Sequence, residues 1–366
     1  MNYTKNKSYH EQLAIDNTVK LRELLSELPK FLGDFFRGIE PTTSARTRLG
    51  YAYDLRIFFR FILEYKEYAI PCNTTKDSSA SPNLSSNMSE IPLSVLNDIA
   101  PEDIEEYMQY LKYYQNGTKE YTNDERGISR KLSSLRTMYH YFYKKQRISQ
   151  DPTTIVDAPK LHDKNIIRLE VDEVSRLLDE VESGDNLTEK QKEYHKKTKI
   201  RDLALLTLLL GTGMRVSECV GIDISDIDFE TNGIRVIRKG GKEVILYFGD
   251  EVCDALLQYL GERKKINAAS GHENALFLSM QKKRISVRSV EKLVKKYAQL
   301  VTTMKKITPH KLRSTFGTTL YQETGDIYLV ADVLGHSDVN TTKRHYAAID
   351  EQRRRSAKNI VKLREP

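Results

Sequence analysis

The sequence predicts a mainly α protein in two units: a smaller all-α N-terminal unit and a larger, mainly helical C-terminal unit holding a short antiparallel sheet. Three observations carry this. Apolar residues recur at helical spacing through most of the first 160 residues. The periodicity stops near DAPKLHDKN (157–165), where Pro159 sits, and restarts at VDEVSRLLDEVE (171–182). Finally, IRVIR (234–238) and VILYF (244–248) flank KGGKE, two β-rich runs around a glycine pair and hence a hairpin. A chain of 366 residues fits two domains at roughly 150 residues each. The expected bounds are 1–160 and 166–366.

In chain order, Leu21, Leu24, Leu25, Leu28, Leu32 and Phe35 mark the first helical stripe. SARTRLGYAYDLRIFFRFILEY (44–65) keeps a stripe through Leu55, Phe58, Phe59 and Ile62, with Arg46, Arg48, Arg56 and Arg60 on its other face. CNTTKDSSASPNLSSNMSE (72–90) is poor in apolar residues and reads as a flexible loop. PEDIEEYMQYLKYY (101–114) and the basic, aromatic SRKLSSLRTMYHYFYKKQ (129–146) complete the N-terminal helices. In the second unit, a polar insert, SGDNLTEKQKEYHKKTK (183–199), precedes the apolar helix RDLALLTLLLGTG. Further helices are expected at about 250–266, 286–301 and 309–324.

Composition excludes several classes. The longest apolar stretch, Leu203 to Leu210, falls far short of the ~20 residues that span a bilayer, so no membrane role is expected. MNYTKNKSYHEQL has no apolar core after its lysines and does not read as a signal peptide, which predicts a cytoplasmic protein. Cys72, Cys219 and Cys253 stand alone, arguing against a disulfide framework or a zinc site. A net charge of +7 permits a polyanionic partner without requiring one.

The local motifs go further. Thr308-Pro309 starts a helix, Thr as N-cap and Pro at the first helical position. His310 and Arg313 then project from neighbouring positions, roughly 60° apart about the axis. Alone, this is a capped amphipathic helix with two solvated polar residues. In GTGMRVSE (211–218), Arg215 and Glu218 stand three apart, which by itself is an ordinary surface ion pair. In LGHSDVNTTKRHY (334–346), Gly335 ends a helix, His336 sits at the turn and Tyr346 lies ten residues on. Lys239 occupies the hairpin tip, where a lysine is ordinarily just solvated.

Taken together, TGMRVSE, RKGGK, HKLR, LGH and the final Tyr resemble the signature of the tyrosine recombinases, the phage-integrase superfamily. The resemblance runs over most of the chain and is strongest over 201–350. IPLSVLNDI (91–99), RKGGK and TPHKLR are most similar to the Xer branch, in particular to its single-recombinase, XerS-like members, which resolve chromosome dimers without a second recombinase. The resemblance implies an N-terminal SAM-like, all-α core-binding domain. It also implies an α+β catalytic domain with a small antiparallel sheet, ending in a protomer-exchanging tail, 347–366. The two would clamp a duplex. Tyr346 would be the nucleophile, with Arg215 and Arg313 on the non-bridging oxygens of the scissile phosphate. His310 would assist proton transfer at the tyrosine, His336 would hydrogen-bond the phosphate and Lys239 would protonate the departing 5′ oxygen. Glu218 would support the site. Ser314 stands where many relatives have a second His, outside the catalytic set.

The chemistry suits these residues. Guanidinium forks match phosphate oxygens and stay charged. Fixed cations aimed at developing charge are usually the largest catalytic term. A phenol with an unperturbed pKa of about 10 needs such surroundings to attack near neutrality. No GxxxxGK[ST] cradle and no convincing two-metal carboxylate cluster is visible in the sequence, so the expected reaction uses no ATP, metal or other cofactor.

The implied partners are a double-stranded DNA recombination site and a homo-tetramer on two duplexes, a dimer per site, with a DNA translocase as a possible accessory. Candidate phosphate contacts are Arg46, Arg48, Arg56, Arg60, Arg130, Lys131, Arg136, Lys144 and Lys145, although each alone is as well explained by a solvated helix face. Three other readings stay open. They are a mobile-element integrase or excisionase, a type IB topoisomerase-like enzyme and an inactive DNA-binding homologue.

Overall fold

A computed structural model of the chain describes residues 8–65, 88–162, 167–238, 240–336, 338–340 and 342–343. The chain divides into two compact units, Met1–Asp163 and Lys164–Pro366.

The N-terminal unit is built from α1 (Tyr9–Leu25), α2 (Leu32–Gly38), α3 (Ala45–Tyr65), α4 (Val95–Asp98), α5 (Pro101–Lys112), a hairpin of β1 (Tyr113–Asn116) and β2 (Lys119–Thr122), and α6 (Glu125–Lys144). Local chemistry sets the helix starts. Ser8 and Glu11 cap α1 reciprocally, and Asp124 Oδ1 accepts from Gly127 N–H at 3.0 Å to open α6. α1 and α6 both pack against α3 over an aromatic core. Phe31 meets Phe142 edge-on at 5.5 Å, and Phe58 meets Tyr107 at 5.1 Å. Buried Asp54 on α3 ties this core to α6 by accepting from Ser134 Oγ at 2.7 Å and pairing with Arg130.

Two features differ from the sequence expectation. The helix expected to run to residue 114 stops at Lys112, and Tyr113–Asn116 pairs antiparallel with Lys119–Thr122 around Gly117-Thr118. Gly117 at φ +60° supplies the first central position of a two-residue turn, a conformation costly for other residues. Of the loop expected over 72–90, residues 72–87 lie outside the described residues. Its last part is not loose: Met88 is buried in the core with Ile91.

The C-terminal unit contains α7 (Val171–Ser183), α8 (Glu189–Thr212), α9 (Val216–Gly221), β3 (Ile227–Asp228), β4 (Gly233–Ile237), β5 (Glu243–Tyr247), α10 (Asp250–Arg263), α11 (Val287–Val301), α12 (Pro309–Thr324) and α13 (Ile327–Leu334). Helix α8 is the hub, packed against α7, α10 and α12 with Ala204–Leu209 buried on every side. Much of the expected polar insert is its first half. Gln191 Oε1 accepts from Thr188 N–H at 3.0 Å at the start. Two residues of this half, His195 and Thr198, turn inward, and His195 places Nε2 2.7 Å from the Val181 carbonyl. The expected hairpin pairs Ile234 with Leu246 and Val236 with Val244, and β3 adds a short third strand through Ile227 opposite Ile234.

Candidate active site

The site is assembled at chain reversals. Helix α8 ends at Gly213, φ +61°, where a Cβ would overlap the ring of Phe316 on α12. Two residues later Arg215 is the N-cap of α9. Glu218, at N3, accepts from the Arg215 backbone N–H and from Arg215 Nη1, both at 2.8 Å. This is no ordinary surface pair: Glu218 is 4% exposed, so it is a buried anion gripping the base of a half-exposed guanidinium. The other arm of Arg215, Nη2, donates to the Gly335 carbonyl at 3.3 Å.

Helix α12 begins with Thr308 as N-cap and Pro309 at its first position. Arg313 departs from the solvated position that this helix alone would allow. It is 4% exposed, with Nη1 donating to the Gly213 carbonyl at 2.7 Å and Nη2 to the Leu334 carbonyl. Arg215 and Arg313 therefore rest on successive carbonyls, and Arg313 also reaches the turn that precedes Arg215. The shared acceptor is the C-terminal end of α13, whose partial negative charge suits cations. Gly335, φ +64°, caps that helix, and His336 follows with its N–H on the Ala331 carbonyl at 2.9 Å. His336 Nδ1 lies 2.8 Å from Oγ1 of buried Thr342. With that hydroxyl donating, the ring hydrogen sits on Nε2.

His310 lies one turn before Arg313 on α12 and is exposed. Desolvation of its ring, followed by the charges of Lys311, Arg313 and Arg215, holds its pKa below the ordinary histidine value. It is therefore a neutral base near pH 7 in the free protein. Behind Glu218, the Cys219 thiol is buried, and burial together with the Glu218 charge pushes its pKa up to about 12. It is inert packing, without a role as a nucleophile.

Of the predicted catalytic set, Arg215, His310, Arg313 and His336 are brought together, with Glu218 beneath. Lys239 and Tyr346, and the tail over 347–366, lie outside the described residues. Two contributors escaped the sequence reading. Thr342 orients His336, and Arg238 reaches the same helix end, donating to the Asp332 carbonyl at 3.2 Å and the Val333 carbonyl at 2.6 Å. RKGGK contains Arg238 but gives no sign that it points back into the unit. Among the described residues no group of three or more His, Cys, Asp or Glu side chains is placed to hold a metal ion. No described helix is long and apolar enough to cross a membrane.

The candidate phosphate contacts of the N-terminal unit fall into three groups. Arg48 is buried, with Nη1 on the Glu40 and Thr43 carbonyls at 3.1 and 2.8 Å and Nη2 on Glu40 Oε1 at 3.0 Å. Lys131 is buried with Nζ on Asn123 Oδ1 at 2.5 Å, and Arg136 holds the Thr153 and Val156 carbonyls at 3.3 and 2.6 Å. These three are already engaged inside the unit, each with at least one donor on an internal acceptor. Arg56 pairs with Glu27 at 3.1 Å and Arg130 with Asp54, while Arg60 is half-buried. Arg46, Lys144 and Lys145 are exposed.

A family model described as the phage integrase family matches residues 168–353. Tyrosine recombinase XerC of Caldanaerobacter subterraneus is 33% identical over 98% of this chain and 94% of its own length. A XerH site-specific recombinase bound to a palindromic difH substrate shares the fold, with a TM-score of 0.61 at 19% identity over 93% of this chain and 88% of that one. So does the Tn1549 transposon integrase bound to a circular intermediate DNA, with a TM-score of 0.59 at 20% identity over 91% and 98%. With a family match over the unit that carries both arginines and a relative aligned from end to end, the chain belongs to the phage integrase family, the tyrosine recombinases, whose members cut and rejoin DNA.

Proposed function

We propose that the protein is a Xer-type site-specific recombinase that exchanges strands through a 3′-phosphotyrosyl intermediate at Tyr346. In the first step the Tyr346 oxygen attacks the scissile phosphorus and the P–O5′ bond breaks. His310 takes up the phenol proton, and Lys239 gives a proton to the departing O5′. Arg215, Arg313 and His336 hold the non-bridging oxygens as negative charge grows on them. In the second step a 5′ hydroxyl from the other duplex attacks the phosphotyrosine and frees Tyr346. The ester conserves the bond, so the exchange needs neither ATP nor a metal. The observation that carries this reading is the seating of two guanidiniums on successive carbonyls, Leu334 and Gly335, with His336 next in the chain.

The N-terminal unit acts as the core-binding module, with Arg46, Lys144 and Lys145 as its leading phosphate contacts. A tetramer assembles on two duplexes, coupled through the tail at 347–366, and a DNA translocase assists in the cell. The relationship to XerC along nearly the whole chain favours chromosome-dimer resolution over a mobile-element role. The test is a nicked suicide substrate incubated with wild type and Tyr346→Phe in excess EDTA. A covalent adduct with wild type alone is the expected result. An adduct formed by the variant, or one that requires added Mg²⁺, overturns the chemistry. Recombination of two sites by this protein alone supports a single-recombinase system. Relaxation of supercoils without synapsis points instead to a topoisomerase-like enzyme.

A further inference from the structure

The described residues of the hairpin tip, on either side of Lys239, make few bonds among themselves. Arg238 and Lys242 close it through Arg238 N–H to the Lys242 carbonyl at 2.8 Å, and Gly241 N–H donates to the Arg238 carbonyl at 3.0 Å. The other residues between them are glycines in positive-φ conformations, Gly240 at +89° and Gly241 at +81°, with open space around them. Glycines lose more conformational freedom on ordering than any other residue, so a tip of this composition needs an external anchor to hold one geometry.

Arg238 is placed to be that anchor. Its side chain leaves the hairpin and takes the Asp332 and Val333 carbonyls, 94 and 95 residues along the chain, immediately before the two carbonyls that receive Arg313 and Arg215. The last turn of α13 thus serves three guanidiniums in order, with His336 next. The seat is fitted to this side chain. A Cβ at Gly335 would overlap the Arg238 guanidinium, so Gly335 both caps the helix and leaves room for the arginine. The cluster is also electrostatically costly. Burial, and then the neighbouring Arg215 charge, holds the Arg238 pKa below the ordinary arginine value, although Glu218 and Asp332 oppose this. Its Nε is buried without a hydrogen-bond partner among the described residues. A cation kept there against desolvation and repulsion has a task beyond closing a hairpin.

We infer that Arg238 is a positioning residue for cleavage: it fixes the base of the Lys239 hairpin to the helix end that organises Arg215, Arg313 and His336, and so delivers the Lys239 ammonium to the leaving 5′ oxygen. The inference deepens the reading of Lys239 as the proton donor and rests on it. Arg238 itself touches no reacting atom.

The test exploits the leaving group. In single-turnover adduct formation, Arg238→Gln, Arg238→Lys and Lys239→Ala are compared with wild type on the nicked site. The same proteins are then compared on that site with sulfur replacing the scissile 5′ bridging oxygen. A thiolate departs without a proton, so a defect confined to proton donation disappears on the sulfur substrate. General acid catalysis is worth about 10²–10⁴-fold, and a misplaced donor forfeits part of that. Arg238→Gln is therefore expected to slow oxygen-substrate cleavage by about 10- to 100-fold, with near wild-type cleavage of the sulfur substrate. Arg238→Lys, which keeps the charge but not the two-carbonyl fork, falls between. If Arg238→Gln does not fold, as judged by thermal melting, Arg238→Lys must still show the selective oxygen defect. Equal loss on both substrates, or no loss on oxygen, overturns the inference while a rescued Lys239→Ala leaves the proton-donor reading intact. A Lys239→Ala that sulfur does not rescue overturns that reading, and the inference with it.

Discussion

Replacing Glu218 with Gln isolates what the buried carboxylate does for Arg215. The two side chains are nearly isosteric, and Glu218 accepts two hydrogen bonds of 2.8 Å from one residue, at its backbone N–H and at Nη1. An amide has one acceptor oxygen, so one of the two donors must face an NH2 group. A hydrogen bond to a charged group contributes about 1.5–3 kcal/mol, which sets an expected destabilisation of about 2 kcal/mol. For a cooperative unit of this size that lowers Tm by about 4–8 °C. The effect on cleavage follows from geometry. Arg215 would keep the Gly335 carbonyl but lose half of its rear support, and a displacement of about 1 Å costs up to about 100-fold in rate. The assay is single-turnover adduct formation at saturating DNA, run beside thermal melting. A fall of at least about tenfold is expected, with duplex affinity unchanged. In an Arg215→Ala background the same substitution should add nothing further to the rate defect. Wild-type cleavage and an unchanged Tm in the single variant would refute the reasoning.

Other outcomes follow from the same geometry. Because the His310 pKa is held below the ordinary histidine value and its neutral form is the working one, kcat/KM should fall as pH drops through a value under about 6.5, and His310→Asn should remove that limb. A limb at or above the ordinary value counts against this. The same depression means that the unfolded chain binds more protons than the folded one below that pH, so the His310 contribution to stability declines as the solution is acidified. Arg48→Ala should cost about 2–3 kcal/mol of stability and leave the salt dependence of DNA binding unchanged. Lys144→Ala should do the reverse, reducing the salt slope by about 0.9 if it meets one phosphate; titrations at several salt concentrations separate the two. In a Cys72→Ser background, iodoacetamide should label Cys253 in the native protein and reach Cys219 only after denaturation, as mass spectrometry would show.

What the sequence made legible was chiefly local. Thr308-Pro309 and Gly335 mark helix ends by their own conformational preferences, and the structure places both at those ends. The β1–β2 hairpin was hidden by an ambiguity of period. Ile104, Tyr107, Leu111 and Tyr114 continue a helical 3-4-3 spacing, and Tyr114 is buried although its backbone is strand. Gly117-Thr118, a glycine at the first central position of a two-residue turn, was the signal that should have prevailed. The basic residues show the opposite limit. Arg48 and Arg46 stand two apart on one helix, yet one is buried on carbonyls of the preceding turn and the other faces water, a distinction that depends on where the chain before α3 folds back. Likewise nothing in RKGGK shows that Arg238 turns inward, because its acceptors come from a helix nearly a hundred residues later.

The end of α13 carries a further consequence. Its Val330 and Leu334 form a small apolar cluster with Tyr321, with Phe316, Leu320 and Ile327 at the margin. Short, sparsely packed segments open locally at far lower free energy than whole domains. Fraying of one helical turn would withdraw the acceptors of three guanidiniums at once and disarm the enzyme without unfolding it. Activity should then track the protection of the amides of Gly335 and His336 against hydrogen exchange more closely than it tracks global melting.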